Sequence, residues 1–225
     1  MTAHRPTRPD QPAPADQPAR ATAAERLRSG TRAWHDALEA TGFALAMLAG
    51  TLPLDRYVGQ LAAQRTVLKA LEDELSRATD PAVTRVWSPD LVKLPLVERD
   101  LRHFGGSCTA PERWAAEESR SFADEIRRTA ADTPRELLGF LYVLEGSTLG
   151  ALFLRRYVSA AYRLTGTDGL AYYGSGDRAR WTRLTARLDE TLTAPDAQDQ
   201  VLTAAERAYR HTAAISQALS TGLTC

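Results

Sequence analysis

Apolar and polar positions follow a helical period along most of this chain. From residue 21 onward, segments rich in Ala, Leu, Arg and Glu are broken at Gly and Pro, and no strand-like alternation or long β-branched run separates them. One predicted helix shows the pattern in a stripe of leucines at Leu61, Leu68, Leu71 and Leu75. The pattern predicts an all-α bundle, and no repeat at a solenoid period is visible.

Glycine and proline mark where the predicted helices begin and end. The first helix is expected over 21–49 with a bend near Gly42, and the second is expected to begin near Asp55. Further helices are predicted over 94–105, 111–131, 135–164, 178–192 and 198–219. A short irregular region after the second helix is predicted from its prolines, Pro81, Pro89 and Pro95.

Composition predicts how many domains the chain forms and in which compartment the protein works. The 225 residues suffice for one sizeable core, and residues 1–20, with five prolines and few apolar side chains, are expected to form a disordered tail. Residues 21–225 are then expected to form a single helical domain. Cys108 and Cys225 show neither metal-ligand spacing nor a disulfide framework. Because no apolar run approaches about 18 residues and no signal peptide is evident, we expect a cytoplasmic protein.

The charge balance argues against two classes of partner. The 28 basic residues equal the 28 acidic residues, so the formal net charge at pH 7 is zero. Nucleic-acid backbones and anionic membranes attract proteins with an excess of positive charge. We therefore expect neither nucleic acid nor a membrane as the main partner, and we take a monomer as the default state.

The first predicted helix carries side chains suited to a metal-bearing ligand. Arg28 and His35 share a face, because seven residues separate them by about 20° around a helix and about 10.5 Å along it. Glu39 lies one turn beyond His35, where a carboxylate can fix the tautomer of a metal-ligating imidazole. The arginine then suits an anionic group at the edge of a wide, flat cofactor. The alternative is an ordinary solvated face, since all three residue types are common at surfaces.

Three glycines form a stripe in the most apolar of the predicted helices. Gly139, Gly146 and Gly150 fall on one face, and each costs a helix interior roughly 1 kcal/mol relative to alanine. Without their side chains, either a neighbouring helix or a planar ligand can approach the backbone. Both interpretations remain open from the sequence. If a ligand binds, the hydroxyls of Ser147 and Thr148 can serve it or an ordered water.

Taken in order, these segments resemble the bacterial heme oxygenases. The likeness rests on TRAWHDALE at 31–39, LVERDLRHFG at 96–105 and YVLEGSTLG at 142–150, together with Gly50, Tyr57, Tyr173, Gly174 and Trp181. It covers nearly all of residues 21–220. The Glu-Gly-Ser-x-Leu-Gly form is similar to the subgroup often associated with bacterial phytochromes.

The resemblance implies an all-helical fold that holds heme between a proximal helix and a glycine-rich distal helix. His35 matches the family's axial heme ligand, and Glu39 matches the carboxylate that supports this ligand. Arg28 falls where family members place a residue that touches a heme propionate. Gly146 and Gly150 match the distal glycines that let dioxygen fit over the iron.

The other expected heme contacts are one tyrosine and two arginines. Tyr142 is expected in the pocket wall, in line with the usual packing role of aromatic residues at helical spacing. Candidates for the remaining propionate contacts are Arg178, Arg180, Arg183 and Arg187. We favour Arg180 and Arg183 among them, and a solvated helix face is the alternative.

The distal helix departs from the family pattern at two positions. Many members have an aspartate directly after the first distal glycine, where it orders the water that delivers protons, but this chain has Ser147. Ala151 stands where those members have a second adjacent glycine. These differences bear on mechanism more than on fold, so Ser147 is taken as a catalytic residue together with Gly146 and Gly150.

The activity implied by the resemblance is the oxidative opening of heme to biliverdin, carbon monoxide and ferrous iron. Heme is then both cofactor and substrate, and dioxygen is the co-substrate. The expected electron donor is an external ferredoxin or flavoprotein reductase. The other histidines fit a ligand role less well, because His4 lies in the expected tail, His103 at a helix end and His211 on the last helix.

Three alternatives remain open at this point. A heme carrier or sensor would keep the pocket without turnover, which the serine in place of the acid could favour. A non-heme di-iron oxidase would need carboxylates and histidines that converge from several helices, and Glu206 and His211 are five residues apart rather than three or four. A helical interaction module would bind no cofactor.

Overall fold

The structure is a computed structural model that describes residues 21–105 and 113–223. The expected tail over 1–20 and both cysteines, Cys108 and Cys225, lie outside these ranges. Within them the chain forms helices and no strand, which confirms the all-α prediction. The ten α-helices of the described part are α1 Ala23–Gly30, α2 Arg32–Glu39, α3 Gly42–Leu48, α4 Leu54–Arg77, α5 Pro81–Val86, α6 Leu94–Phe104, α7 Ala116–Asp132, α8 Leu137–Tyr162, α9 Arg178–Thr191 and α10 Pro195–Ser220.

The helix predicted over 21–49 is divided into three shorter helices. Thr31 lies at the junction of α1 and α2, and its hydroxyl donates to the carbonyl four residues earlier at 2.7 Å. Thr41 precedes α3, and its hydroxyl accepts from a backbone N–H of the first turn at 3.4 Å. Hydroxyls that bond nearby backbone groups compete with a continuous helix. The breaks therefore occur at two threonines, and Gly42 is the first residue of the third helix.

The prolines of the stretch predicted to be irregular begin short helices. Pro81 opens α5, whose first N–H groups are capped by the Asp80 carboxylate at 2.8 and 3.2 Å. A 3₁₀ turn follows at Pro89–Leu91, and α6 has Pro95 in its first turn. Proline suits a helix start because its missing N–H has no intrahelical partner there. The start predicted near 111 lies outside the described residues.

Helix α8 forms the centre of the bundle and packs against α10. The two backbones approach closely at Gly139, where an added Cβ would lie 2.4 Å from the Val201 carbonyl oxygen. By length and composition the helical stretch Pro134–Tyr162, with a mean hydropathy of 1.7, could cross a membrane. However, 56% of its most apolar window is buried inside the bundle, so we assign it as a core helix.

A cleft runs between α8 and the α2–α3 pair. Residues of α4, α7 and α10 line the rest of it. Helix α10 holds the pair in place, since it contacts α2 and α3 as well as α8. No residue of α2 is buried. The fold therefore places His35 and Glu39 of the first predicted helix across a cleft from Gly146 and Gly150 of α8.

Candidate functional site

The cleft has the character of a cofactor or small-molecule site. It contains about 1130 Å³ of empty space, its open mouth included. Apolar side chains such as Phe43, Val67 and Leu154 alternate with a few polar groups, the usual composition of a ligand pocket. The predicted site residues that line it are His35, Glu39, Gly146, Ser147 and Gly150.

His35 lies on the exposed face of α2 between two carboxylates. Its Nε2 is 3.7 Å from a Glu39 carboxylate oxygen, and its Nδ1 is 3.8 Å from an Asp36 oxygen. Both distances are too long for a hydrogen bond, and 53% of the side chain is exposed. The imidazole can thus offer one nitrogen to a metal and keep a carboxylate for the other. His35, Asp36 and Glu39 each offer one possible metal-ligand atom, and these atoms lie within 4.8 Å of one another.

Thr31 anchors the start of α2, one turn before His35. The buried hydroxyl of Thr31 lies beside Tyr142 and Tyr209 and acts to lower the pKa of both phenols. Burial has the larger effect and raises the pKa of both tyrosines, to about 12 for Tyr142. Both phenols therefore stay neutral near pH 7. Thr31 thus connects the start of α2 to residues of α8 and α10.

The three glycines of α8 have three different environments. A Cβ at Gly139 would clash with the backbone of α10, so close helix packing explains this glycine. A Cβ at Gly146 would lie 3.2 Å from the Trp181 indole, which therefore packs on the backbone there. A Cβ at Gly150 would meet no atom within 4 Å. The positions share a helix face but no common neighbour, and Gly150 is the one that opens onto free space.

Ser147 faces the cleft and contacts a buried tyrosine. Its hydroxyl donates to the Leu144 carbonyl at 2.7 Å, which leaves the oxygen free to accept. The Tyr172 side chain lies beside Ser147, whose hydroxyl acts to lower the pKa of this phenol. Burial has the larger effect and raises the pKa of Tyr172 to about 12, so the phenol is neutral near pH 7. The two hydroxyls, which we call the hydroxyl pair, thus lie beside the glycines.

Asp100 holds the backbone on which Tyr172 sits. Its two carboxylate oxygens accept from the N–H groups of Ala171 and Tyr172, both at 2.8 Å. Asp100 is fully buried, and burial raises its pKa although the two N–H groups act in the opposite direction. A buried acceptor with two donors fixes the local backbone. The hydroxyl pair therefore has a rigid support.

Two glutamines one turn apart on α4 form a polar end of the cleft. The Gln60 Oε1 accepts from the Tyr173 hydroxyl at 3.4 Å. The Gln64 Oε1 is buried and receives no hydrogen bond from any described residue. An unpaired buried acceptor costs about 1–3 kcal/mol, so this oxygen is suited to accept a hydrogen bond from a bound ligand or water. Neither glutamine is among the predicted site residues, and only their four-residue spacing within an apolar stripe signals them.

The predicted arginines do not line the cleft. Arg180 donates through Nε to the Glu145 carboxylate at 2.6 Å and through Nη2 to the Ser175 carbonyl at 2.5 Å. Arg183 forms an exposed pair with Asp90 at 3.2 Å. Arg28 is exposed and forms no ion pair with a carboxylate of the described ranges. Among these arginines, Arg28 has the charge most available to an anionic ligand.

Glu145, directly before Gly146, is a buried anion between two cations. Its carboxylate lies 2.8 Å from the Lys93 Nζ and 2.6 Å from the Arg180 Nε, with 2% of the side chain exposed. Burial is the main cause that lowers the pKa of Lys93, and the neighbouring carboxylate opposes it. The position of Glu145 inside the apolar run LLGFLYVLEG indicates that its carboxylate has a partner of opposite charge, because an unpaired buried charge is costly. These ion pairs tether α8 beside its cleft-facing turn.

Known proteins share this sequence pattern and this fold. The heme oxygenase family model matches residues 21–218. Heme oxygenase 1 of the cyanobacterium Synechocystis is 27% identical over 156 residues, which span 68% of this chain and 65% of that protein. Heme oxygenase 1 of Nostoc is 25% identical over 171 residues, 75% of this chain and 72% of that protein.

Two solved structures have the same fold. Heme oxygenase from Leptospira interrogans superposes with a TM-score of 0.80 at 21% identity, over 88% of this chain and 99% of that one. Heme oxygenase-1 from Synechocystis in complex with heme superposes with a TM-score of 0.77 at 21% identity, over 87% of this chain and 91% of that one. These likenesses confirm the predicted fold. Because the family model spans most of the sequence, the chain belongs to the heme oxygenase family.

Proposed function

We propose that this chain opens heme oxidatively to biliverdin, carbon monoxide and ferrous iron. One observation carries the proposal: a histidine with accessible nitrogens, His35, and a glycine with free space above it, Gly150, line opposite walls of one cleft. Bound heme supplies the iron that activates dioxygen and the ring that is opened. The family to which the chain belongs supports the same activity.

The residues of the cleft fit heme. A flat, mostly apolar molecule suits the apolar walls, and its central iron suits the exposed imidazole of His35. The missing side chain of Gly150 leaves room on the opposite wall. The unpaired Gln64 Oε1 indicates that the chain alone does not satisfy the cleft.

Each predicted site residue then has a task. His35 would hold the iron of heme through one imidazole nitrogen, and Glu39 would orient the ring through the other. The backbone around Gly146 and Gly150 sets how closely a ligand can approach α8. Ser147 offers a hydroxyl on the same side of the cleft.

The propionate groups of heme need cations or donors at the edge of the cleft. Arg28 is suited to this task, since it forms no ion pair with a described carboxylate. Arg183 could leave its exposed partner at little cost, whereas Arg180 would have to break a buried pair with Glu145. Tyr142 supports the site through its contact with Thr31. We therefore rank Arg28 first, Arg183 second and Arg180 last as propionate ligands.

The remaining elements of the proposal concern partners and setting. Dioxygen must be reduced in this reaction, so we propose that an external ferredoxin or flavoprotein reductase supplies the electrons. Dioxygen is the co-substrate. We propose that residues 21–225 act as one domain, that the protein is monomeric and that it works in the cytoplasm. The phytochrome association remains a prediction from the motif at 142–150.

A hemin titration followed by reduction tests the proposed activity. The purified protein is titrated with hemin and followed by absorbance, and ascorbate or a ferredoxin reducing system is then added under air. We expect a saturable Soret band that decays into the broad red absorption of biliverdin. A stable Soret band would favour the heme carrier or sensor, and no Soret band would contradict the heme assignment.

A further inference from the structure

A second pocket of the described chain lies between α7 and α10, and we call it the α7–α10 pocket. Its lining residues are Glu125, Arg207, Arg210 and His211. None of the four lines the cleft proposed for heme, and the proposed function gives them no task. Three of the four side chains are basic, although the chain as a whole has equal numbers of basic and acidic residues. The pocket therefore concentrates positive charge at one place.

The acidic side chains at this pocket are already paired with two arginines. The Glu125 carboxylate accepts from the Arg128 Nη2 at 2.7 Å and lies 3.3 Å from the Arg207 Nε. The Glu136 carboxylate accepts from the Arg207 Nη2 at 2.5 Å. Two negative charges thus offset the two positive charges of Arg128 and Arg207. Neither carboxylate is left to pair with the other basic side chains of the pocket.

Arg210 and His211 are the basic side chains that this pairing leaves over. Arg210 is exposed and forms no ion pair or hydrogen bond with any residue of 21–105 or 113–223. The ring nitrogens of His211 likewise form no hydrogen bond within those ranges. The Arg207 Nε is buried, and its contact with Glu125 lacks the geometry of a hydrogen bond. The pocket thus offers several nitrogen donors to a ligand.

Aromatic stacking orders the imidazole of His211. The imidazole lies parallel to the Phe122 ring, with centroids 4.8 Å apart and an interplanar angle of 6°. Phe122 is fully buried and meets Phe140 edge to face at 5.7 Å. A ring that stacks on a buried aromatic side chain has few orientations open to it. The pocket therefore contains an ordered imidazole rather than a freely moving surface histidine.

The surroundings of His211 disfavour its protonated form. Burial is the main cause that lowers the pKa of His211, and the Glu125 carboxylate opposes this effect. The charges of Arg210, Arg128 and Arg207 add to the decrease. An anion beside Arg210 would act in the opposite direction, because a nearby opposite charge favours the protonated imidazole. Anion binding and protonation of His211 should therefore support each other.

We propose that the α7–α10 pocket binds a phosphate group, either as free phosphate or as part of a small phosphomonoester. The planar guanidinium of Arg210 offers paired donors to two phosphate oxygens, and His211 donates through a ring nitrogen. A phosphate dianion matches the two positive charges of this arginine and the protonated imidazole. A carboxylate matches only one of them. The inference is independent of the proposed heme chemistry, since these residues lie outside the cleft lining.

Proton NMR of the heme-free full chain measures binding at His211 directly. The chain has four histidines, and the C2–H signal that is missing from His211→Gln identifies the one in the pocket. Inorganic phosphate, glycerol phosphate and acetate are titrated separately near pH 6.5, the ordinary pKa of histidine. Sodium chloride keeps the ionic strength constant, because salt screens exposed charges.

We expect phosphate or glycerol phosphate to shift this signal saturably, with a dissociation constant of about 1 mM or below. Saturating ligand should also raise the pKa of His211. If only one of the two compounds binds, the pocket is a phosphate site and that compound identifies the source. Acetate should bind at least about tenfold more weakly, and equal binding of acetate would overturn the preference for phosphate. No saturable shift with either phosphate compound would overturn the site.

Three variants locate the ligand within the pocket. Arg210→Gln removes the unpaired guanidinium and should weaken binding at least about tenfold, as expected for the loss of a charge-assisted hydrogen bond. Glu125→Gln removes the carboxylate that lines the pocket and should tighten binding, because a nearby negative charge repels phosphate.

Arg85→Gln is the matched control. Arg85 is an exposed arginine of α5 that also forms no ion pair within the described ranges, and it lies outside the pocket lining. This variant makes the same change in net charge as Arg210→Gln and should bind phosphate like the unaltered protein. Circular dichroism checks that every variant is folded. Equal weakening in Arg85→Gln and Arg210→Gln would overturn the proposal, because phosphate would then respond only to the net charge of the protein.

Discussion

The two walls of the cleft are built in opposite ways. Helix α2, which carries His35, has no buried residue and meets the rest of the bundle mainly through α10. Helix α8 is held from several sides at the level of the cleft. Glu145 forms ion pairs with two other parts of the chain, and Gly176 packs so closely that a Cβ would lie 2.4 Å from the Thr148 carbonyl oxygen.

The difference separates two kinds of contribution to function. On the α2 wall, function depends on side-chain chemistry, and the fold gains little from the residues that perform it. On the α8 wall, function depends on the position of a backbone, which buried contacts must hold. A ligand that bridges the walls would stabilise the folded chain, by a free energy that rises with the logarithm of its concentration over its dissociation constant. Substitutions on one wall should therefore change ligand chemistry, and substitutions on the other should change stability.

The largest effect is expected from His35→Ala on the exposed wall. The substitution removes the iron ligand, so we expect turnover to be abolished and the spectrum of the ligated heme to be lost. Added imidazole should restore part of that spectrum, because it can enter the vacated position. Since 53% of the side chain is exposed, the free energy of unfolding without heme should change by less than about 0.5 kcal/mol. An unchanged Soret band and unchanged turnover would contradict the assignment.

Glu145→Gln should have the opposite profile. It removes a buried negative charge and leaves Lys93 and Arg180 without their counter-ion, which typically costs about 3–5 kcal/mol. Urea unfolding of the heme-free protein measures this loss. Adding Lys93→Met to the variant should recover part of it, since one unpaired cation is then removed.

Asp90→Asn is the matched control for this prediction. It breaks the exposed pair between Asp90 and Arg183, which lie 3.2 Å apart. Exposed pairs contribute about 0–1 kcal/mol, so the urea midpoint should move little. Equal losses in the two variants would show that the buried ion pairs do not anchor α8.

Two glycine substitutions sharpen the comparison within α8 itself. Gly139→Ala should destabilise the protein by about 1–3 kcal/mol, because the new methyl group meets the backbone of α10. Gly150→Ala should instead stabilise the heme-free protein by up to about 1 kcal/mol through helix propensity, since nothing lies within 4 Å of its Cβ position. The same methyl group should weaken hemin binding. Thermal unfolding and hemin titration of both variants would distinguish these outcomes.

The sequence predicts contacts between near neighbours better than contacts between distant segments. His35 and Glu39 lie one turn apart on one helix, so their proximity follows from helical geometry alone. The Glu145–Arg180 pair joins residues 35 positions apart, and its geometry depends on how α9 packs on α8. A run of arginines therefore indicates a charged face without revealing which member is buried.

The glycines show the same limit. Gly139 and Gly150 are chemically identical and share a helix face, yet one meets a backbone and the other meets open space. Helical periodicity predicts on which face of the helix a glycine lies, whereas tertiary packing determines which atoms it contacts. The unpaired oxygen of Gln64 is a tertiary property for the same reason. Element type and helix-local chemistry were thus predictable, while the partners of the buried charges and the unpaired oxygen of Gln64 were not.

The last prediction concerns the pH dependence of stability that Tyr172 contributes beside α8. Burial raises its pKa from 10.0 to about 12, with the hydrogen-bonding contact to Ser147 acting in the opposite direction and the charges of Glu145 and Glu72 adding to the rise. Between these values the unfolded chain has lost the phenol proton and the folded chain retains it. The free energy of unfolding therefore falls as pH rises through this window, by at most about 1.4 kcal/mol per pH unit for one group.

Tyr172→Phe should make this fall less steep without abolishing it, because burial also raises the pKa of Tyr57, Tyr142, Tyr162 and Tyr173. Urea unfolding of the variant and the unaltered protein near pH 7 and above pH 10 measures the two slopes. Parallel curves would show that the phenol is not protected from ionisation in the folded state. A reduced slope would show that burial keeps the Tyr172 phenol neutral in the folded state.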